Sequence, residues 1–325
     1  MTCRPARSAL ALALGAWLAA CGDSGSGSGA TIACGTSPPL SVKAADVDAA
    51  IGYPASPGDG THNPVLLIHG TGSTSFESWA GTYIPALAAR GFAVYTIDLP
   101  GKAYSDIQPS SEYVVYAVRK LHALTGRKVD IIGHSQGGLE PRWALKWWPD
   151  VRGDVGDLIT LATPHHGTVI VGPYCLAGCK PAHRQMAQDS QFIAALNDGA
   201  ETFPGVDVTS LYSLTDELVQ PQFPVSVSAL DGASNIEVQS LCPGLPIDHV
   251  GMMSNGAVFA LVLDALTHDG PADAARFNPL SCADVFIPGI APVPSLAAEY
   301  YFFASGNSDV PDAAEEPPLA DYVCS

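Results

Sequence analysis

Three side chains of this sequence have the types and the chain order of an acyl-transfer site. Ser135 stands in Gly133-His134-Ser135-Gln136-Gly137, between an apolar run and a helix-like segment. G-x-S-x-G between a strand and a helix is a sharp turn that raises the serine hydroxyl above the end of a sheet. Its glycines suit a strained, closely approached backbone. A serine hydroxyl is a weak nucleophile by itself. It needs a base in contact and a carboxylate that orients the base. On strand–turn–helix scaffolds of this kind the chain order is Ser, then Asp or Glu, then His.

That order selects among nine histidines. His62, His69, His122 and His134 precede Ser135, whereas His165, His166, His183, His249 and His268 follow it. His249 is the expected base, in a loop after the last apolar run and before a helix. His268 closes that helix, where a cation suits the dipole. His165 and His166 follow a mid-sheet run and are expected to line the mouth of the site or to bond locally. Asp216, after the run Val208–Ser213, is the expected acid, with Glu217 as a substitute and Asp248 as a supporting partner. The oxyanion hole takes one N–H from the residue after the nucleophile and one from the loop after the first core strand. Those residues are Gln136 and Thr71, with Gly70 in reserve, and Thr71 also offers its hydroxyl. Gly70, His134, His165, Leu218 and Val219 are the expected substrate contacts.

The elements that must position these residues alternate. Strands are predicted at Pro64–Gly70, Phe92–Ile97, the run before Ser135, Asp157–Ala162, Val208–Ser213 and Ile236–Leu241. Helices are predicted over Trp79–Arg90, from Ser111 to Gly126, after Ser135 to Trp148, and over Ala257–Leu266. Trp143, Trp147 and Trp148 read as core. Alternation of this kind means a mostly parallel sheet with helices on both faces. In such sheets the site lies beyond the carboxyl ends of the strands, where Thr71, Ser135, Asp216 and His249 all fall.

The composition agrees with an exported globular protein. The chain has 325 residues, 47% hydrophobic and 14% charged, with a net charge of −17. That acidity argues against nucleic acid and anionic lipid as partners. Arg4 and Arg7 precede an apolar run, Ala9–Ala20, which is short for a membrane span. Leu18-Ala-Ala-Cys21 resembles a bacterial lipoprotein signal, with Cys21 acylated and a Gly/Ser-rich tether behind it. The expected organisation is a signal over 1–20, a tether over 21–33 and one catalytic domain over 34–325, anchored at the outer membrane or cell surface or secreted, and monomeric. Six further cysteines, Cys34, Cys175, Cys179, Cys242, Cys282 and Cys324, suggest three disulfides in an exported chain. Cys175-x-x-x-Cys179 lacks a second Cys/His pair at zinc spacing, so no metal is expected. Nothing in the sequence asks for a cofactor.

Two long segments resemble a known family. Thr209-Ser-Leu-Tyr-Ser-Leu-Thr-Asp-Glu-Leu-Val-Gln-Pro-Gln222 and Cys242-Pro-Gly-Leu-Pro-Ile-Asp-His-Val-Gly251 resemble the acid and base segments of lipases of the Candida antarctica lipase B type. Ser135-Gln-Gly-Gly-Leu139 is similar to their nucleophile turn and Gly70-Thr71-Gly72 to their oxyanion loop. The resemblance spans about Pro64 to Cys282. It implies an α/β-hydrolase fold and metal-independent hydrolysis of acyl esters through an acyl-enzyme. It maps nucleophile, acid and base onto Ser135, Asp216 and His249, and the hole onto Thr71 and Gln136. It also implies a Cys242–Cys282 disulfide. His134 departs from the family's tryptophan and predicts a roomier, more polar alcohol side. A Cys175–Cys179 bridge would stiffen the lid region, which leaves Cys34 to pair with Cys324. Leu296–Ala304 falls where the family has an apolar helix over the acyl pocket. The same fold also serves peptidases, acyltransferases and polyesterases, and a non-catalytic surface lipoprotein is the remaining alternative.

Overall fold

Short apolar runs between turn residues form the strands, and each run that ends before a candidate residue is one of them. A computed structural model describes residues 35–291 and 308–324, within the compact unit Ala33–Ser325. The predicted signal, the tether, Cys21, Cys34 and Leu296–Ala304 lie outside the described residues. The strands are β1 (Ile51–Gly52), β2 (Val65–Ile68), β3 (Val94–Ile97), β4 (Val129–His134), β5 (Val155–Leu161), β6 (Asp207–Tyr212) and β7 (Ser234–Glu237). Their order in the sheet is β1-β3-β2-β4-β5-β6-β7. β1 pairs antiparallel with β3, and every other pairing is parallel.

The helices are α1 (Ala44–Ala50), α2 (Ser75–Trp79), α3 (Tyr83–Ala88), α4 (Ile107–Thr125) and α5 (Leu139–Trp147), followed by α6 (Val171–Tyr174), α7 (Pro181–Gln185), α8 (Gln191–Asn197), α9 (Val238–Leu241) and α10 (Gly256–Thr267). The pleat divides the core between them. Leu66, Ile68, Ile131 and Leu158 join Val47 of α1, Val114 and Val118 of α4, Trp143 of α5 and Phe192 of α8. Val65, Leu67, Ile132 and Ile159 join Trp79 of α2, Tyr83 and Leu87 of α3 and Phe259 of α10. Successive strand residues point to opposite faces, so both faces of the sheet are buried under helices.

Four boundaries differ from the sequence reading. α4 begins at Ile107 rather than Ser111, because Asp106 caps it by accepting from the Gln108 N–H. Ser110 and Ser111 then lie inside, with their hydroxyls donating back to Asp106 O and Ile107 O. The helix predicted over Trp79–Arg90 is two short ones, interrupted before Tyr83. Ile236–Leu241 is half strand and half helix, since α9 starts at Val238. Finally, β1 lies before Pro64, where no strand is predicted.

Two disulfides join described residues, Cys242–Cys282 and Cys175–Cys179. Cys324 is disulfide-bonded as well, and its expected partner Cys34 lies outside the described residues. The segment 308–316 straps down the chain around α6 and α7. Cys179 bridges Ala313, the Lys180 ammonium donates to Val310 O at 2.7 Å, and the Arg184 guanidinium donates to Ala313 O at 2.6 Å. Glu316 accepts from the Gln191 and Phe192 N–H groups at the start of α8.

Candidate active site

The turn after β4 sets Ser135 in a backbone conformation that few non-glycine residues adopt. Its φ is +55°, in the left-handed region. Such residues hold of order 1–3 kcal/mol of strain and persist only where the surroundings over-determine them. Here the turn folds back so tightly that a Cβ on Gly133 would sit 2.1 Å from the Gly137 carbonyl oxygen. Ser135 itself is only 7% exposed.

Asp216 and His249 meet beyond the ends of β6 and β7. His249 Nδ1 and Asp216 Oδ2 are 2.8 Å apart, with both side chains buried. The other carboxylate oxygen, Oδ1, accepts from the Leu218 and Val219 N–H groups, each at 2.8 Å. An ionised aspartate thereby faces Nδ1, which requires that nitrogen to carry its proton and leaves Nε2 as the basic atom. The backbone of His249 is held as well. Its N–H donates to Glu217 Oε2 at 3.0 Å, and His134 Nε2 donates to its carbonyl at 2.9 Å. Glu217 thus anchors the base loop rather than replacing Asp216. Asp248 is exposed and accepts from the Gly251 N–H of its own loop, away from the imidazole.

Ser135 and His249 open onto one cavity of about 480 Å³, together with Thr71, Leu218 and Val219. Its remaining wall comes from Gly72, Tyr104, Pro164, Thr168, Ile170, Val171, Tyr174, His183 and Met186. Val169, Ile170, Tyr174 and Leu176 extend this apolar surface out to solvent, and the Cys175–Cys179 bridge lies among them. Burial lowers the pKa of His183 to about 4, so its ring stands in the wall as a neutral imidazole between Tyr104 and Tyr174.

Three expected substrate contacts lie elsewhere. His134 is fully buried and off the cavity wall, packed on the His249 ring at 4.7 Å between centroids. Burial holds its pKa well below the usual histidine range, which keeps it a neutral donor to the His249 carbonyl. A roomier alcohol side therefore does not follow from His134. His165 is also fully buried, within 2.9 Å of the Thr160 hydroxyl. Gly70 lies beneath the nucleophile, where a side chain would strike Ser135 Cβ. Tyr104, His183 and Met186, by contrast, come from stretches with no motif and were not among the expected contacts. Tyr174 had one signal, its place beside the cysteine pair.

The loop after β2, which carries Gly70 and Thr71, is fixed by His69, whose Nδ1 donates to Gly70 O and whose Nε2 accepts from the Leu99 N–H, both at 2.9 Å. Thr71 and Gln136 touch through their side chains. The Thr71 hydroxyl donates to Gln136 Oε1, and Gln136 Nε2 donates to Glu140 Oε1 at 2.8 Å. Glu140, on the first turn of α5, is fully buried, and burial raises its pKa to about 8. Among the described residues no cluster of His, Cys, Asp and Glu is arranged to hold a metal ion. A serine, a histidine and an aspartate gathered at one cavity are the groups that acyl transfer uses.

Comparison with known proteins agrees with this fold. The family model for the alpha/beta hydrolase fold matches residues 63–145. Lipase B of Pseudozyma antarctica is 31% identical over 298 residues, covering 89% of this chain and 87% of that protein. A triacylglycerol lipase of Pseudarthrobacter phenanthrenivorans is 35% identical over 116 residues, 33% of this chain and 35% of that protein. The crystal structure of Aspergillus fumigatus lipase B superposes with a TM-score of 0.83 at 30% identity, covering 91% of this chain and 75% of that one. Sheet order, site and relatives agree that this chain belongs to the lipase B family of α/β hydrolases and is a carboxylic ester hydrolase.

Proposed function

We propose that the chain hydrolyses acyl esters of lipids, triacylglycerols or smaller esters, through an acyl-enzyme on Ser135. The observation that carries this reading is the 2.8 Å pair of His249 and Asp216 on a cavity that His249 shares with Ser135. His249 Nε2 takes the Ser135 proton as Oγ attacks the ester carbonyl carbon, and Asp216 stabilises the imidazolium that forms. Negative charge develops on the former carbonyl oxygen. The N–H groups of Gln136 and Thr71 and the Thr71 hydroxyl meet it there. Collapse breaks the ester C–O bond, and His249 returns the proton to the departing alcohol. A water molecule, activated by the same histidine, then attacks the acyl carbon and frees the acid. The apolar wall and its exposed rim, Val169, Ile170, Tyr174 and Leu176, suit the acyl chain of a lipid.

The test is hydrolysis of p-nitrophenyl butyrate by wild type and Ser135→Ala. A fall of about 10⁴-fold or more in the variant is expected. Equal rates would sink the assignment.

We also read Cys21 as an acylated residue that tethers the catalytic unit to a membrane, through residues 21–33. Among the described residues no helix is long and apolar enough to cross a membrane. The disulfides suit an oxidising compartment outside the cytoplasm. Cys21→Ser should move the protein from the membrane fraction to the soluble one. Unchanged retention on membranes would refute the anchor.

A further inference from the structure

We propose that Glu140 is a positioning residue for the oxyanion hole, and that its proton decides through Gln136 whether the Thr71 hydroxyl is free to serve the reaction. The proposal rests on the reading of Thr71 and Gln136 as that hole. It begins with a chain of three polar side chains, Thr71, Gln136 and Glu140, in which Gln136 and Glu140 are fully buried. Glu140 Oε1 accepts from Gln136, while Oε2 is buried without a hydrogen-bond partner. A buried carboxyl with one oxygen unsatisfied is poorly held as an anion.

The primary amide of Gln136 has one accepting end and one donating end, and it lies between two groups that compete for them. An ionised Glu140 only accepts. Gln136 must then turn its NH₂ toward Glu140 and its oxygen toward Thr71. The single hydroxyl proton of Thr71 is spent on that oxygen, as drawn by the observed contacts. A protonated Glu140 donates instead. The amide turns over, Oε1 accepts from the carboxylic acid, and Nε2 donates to Thr71 Oγ1. The hydroxyl then accepts from the amide, and its own proton is free for the oxyanion. No covalent step is involved. One proton leaves to solvent as the pH rises, and two hydrogen bonds reverse direction.

The direction of titration follows from the surroundings. Burial raises the pKa of Glu140 to about 8, opposed only by its hydrogen bonds. Among the described residues, the charged groups on α5 and on the elements packed against it have partners other than Glu140; in the turn 149–154, Arg152 donates to the Leu145 and Lys146 carbonyls. On α4, Glu112 accepts from Ser41 and Val42, while Arg119, Lys120 and His122 face Asp150, Asp48 and Asp154. On β4, Asp130 accepts from Asn63, and His134 donates to the His249 carbonyl. On α5 itself, Arg142 donates to Asn197 and Lys146 to the Leu196 carbonyl. α8 has no ionisable side chain. The protonated, productive form therefore prevails at neutral pH and is lost as the pH passes about 8.

The experiment is the pH dependence of kcat on a short p-nitrophenyl ester for wild type, Glu140→Gln, Thr71→Val and the double variant, with Ser135→Ala as the blank for spontaneous hydrolysis. The glutamine side chain retains the shape of Glu140 and can donate at every pH. Wild type should lose roughly 3- to 10-fold in kcat on the alkaline side, the range of one competing hydrogen bond. Glu140→Gln should hold its neutral-pH rate through that region. Thr71→Val should be slow and equally flat, and adding Glu140→Gln to it should change nothing further. An alkaline fall in Glu140→Gln like that of the wild type would overturn the proposal, as would one surviving in Thr71→Val. If Thr71→Val or Ser135→Ala keeps the wild-type rate, the underlying site assignment has failed instead. Thermal unfolding at pH 6 checks that each variant is folded, and a merely structural Glu140 would move that transition while leaving the pH profile in place.

Discussion

Asp216 and Glu140 are both buried carboxyls close to Ser135, one reached through His249 and the other through Gln136. Asp216 uses both oxygens. It meets His249 Nδ1 with one and the Leu218 and Val219 N–H groups with the other. Glu140 receives one side-chain donor, and its second oxygen has none. Three donors surround the Asp216 carboxyl and fix it in place, which suits the role of acid proposed for it. The Gln136 amide and the Glu140 backbone N–H together do not offset burial, so the charge is conditional, and a conditional charge can take two hydrogen-bonding roles. The difference lies in local chain geometry. Asp216 begins a tight loop whose next two N–H groups point back at one of its oxygens, whereas the Glu140 carboxyl meets only the Gln136 amide and its own backbone N–H on the first turn of α5.

The sharpest way to break this comparison is Asp216→Asn. The amide oxygen can still accept from Leu218 and Val219, but its NH₂ then faces His249 Nδ1 and forces the proton onto Nε2. A histidine protonated at Nε2 cannot accept from Ser135, so kcat should fall by roughly 10⁴-fold with little change in fold. A loss under tenfold would mean that Asp216 does not orient the base.

Stability against pH probes the other carboxyl. The pKa of Glu140 is about 8 in the folded chain against 4.5 ordinarily, so the unfolded chain releases this proton first as the pH rises. Glu140 therefore withdraws stability between about pH 4.5 and 8, and a glutamine in its place does not. Glu140→Gln should be more stable than wild type by about 2–4 kcal/mol at pH 9 and nearly equal to it at pH 5. Matching melting temperatures at pH 9 would show that the carboxyl is relieved in some other way.

The smallest effect belongs to His134. Phenylalanine there keeps the ring and loses the donor to the His249 carbonyl. The base retains its Asp216 and Glu217 anchors, so His134→Phe should cost about 1–3 kcal/mol of stability and less than tenfold in kcat. A collapse of kcat comparable to that of Asp216→Asn would make His134, not Asp216, the dominant restraint on the base.

Much of this could be read from the residues. Apolar runs ending at Thr71, Ser135, Asp216 and His249 set out the strands, and the order Ser, Asp, His limited the base to a few candidates. What escaped was decided by tertiary contact. β1 is two residues long and exists because Ile51 and Gly52 meet β3, a pairing no local periodicity announces. The start of α4 was hidden by Ser110 and Ser111, which look like caps until Asp106 is seen to hold that place. His134 departs visibly from the family at a sensitive position, yet its side chain points into the protein and not into the cavity. Glu140 reads in sequence as an ordinary acid on the first turn of a helix, where such residues favour the dipole. Its burial, and the amide four residues earlier that it meets, appear only in three dimensions.

The strap of residues 308–316 also bears on the order of the chain. Ser135, Asp216 and His249 all precede Val310, Ala313 and Glu316, which fasten Lys180, Arg184 and the start of α8. The candidate reacting groups thus lie upstream of the segment that secures the neighbouring cavity wall, so changes near the C-terminus reach that wall without touching the His249–Asp216 pair.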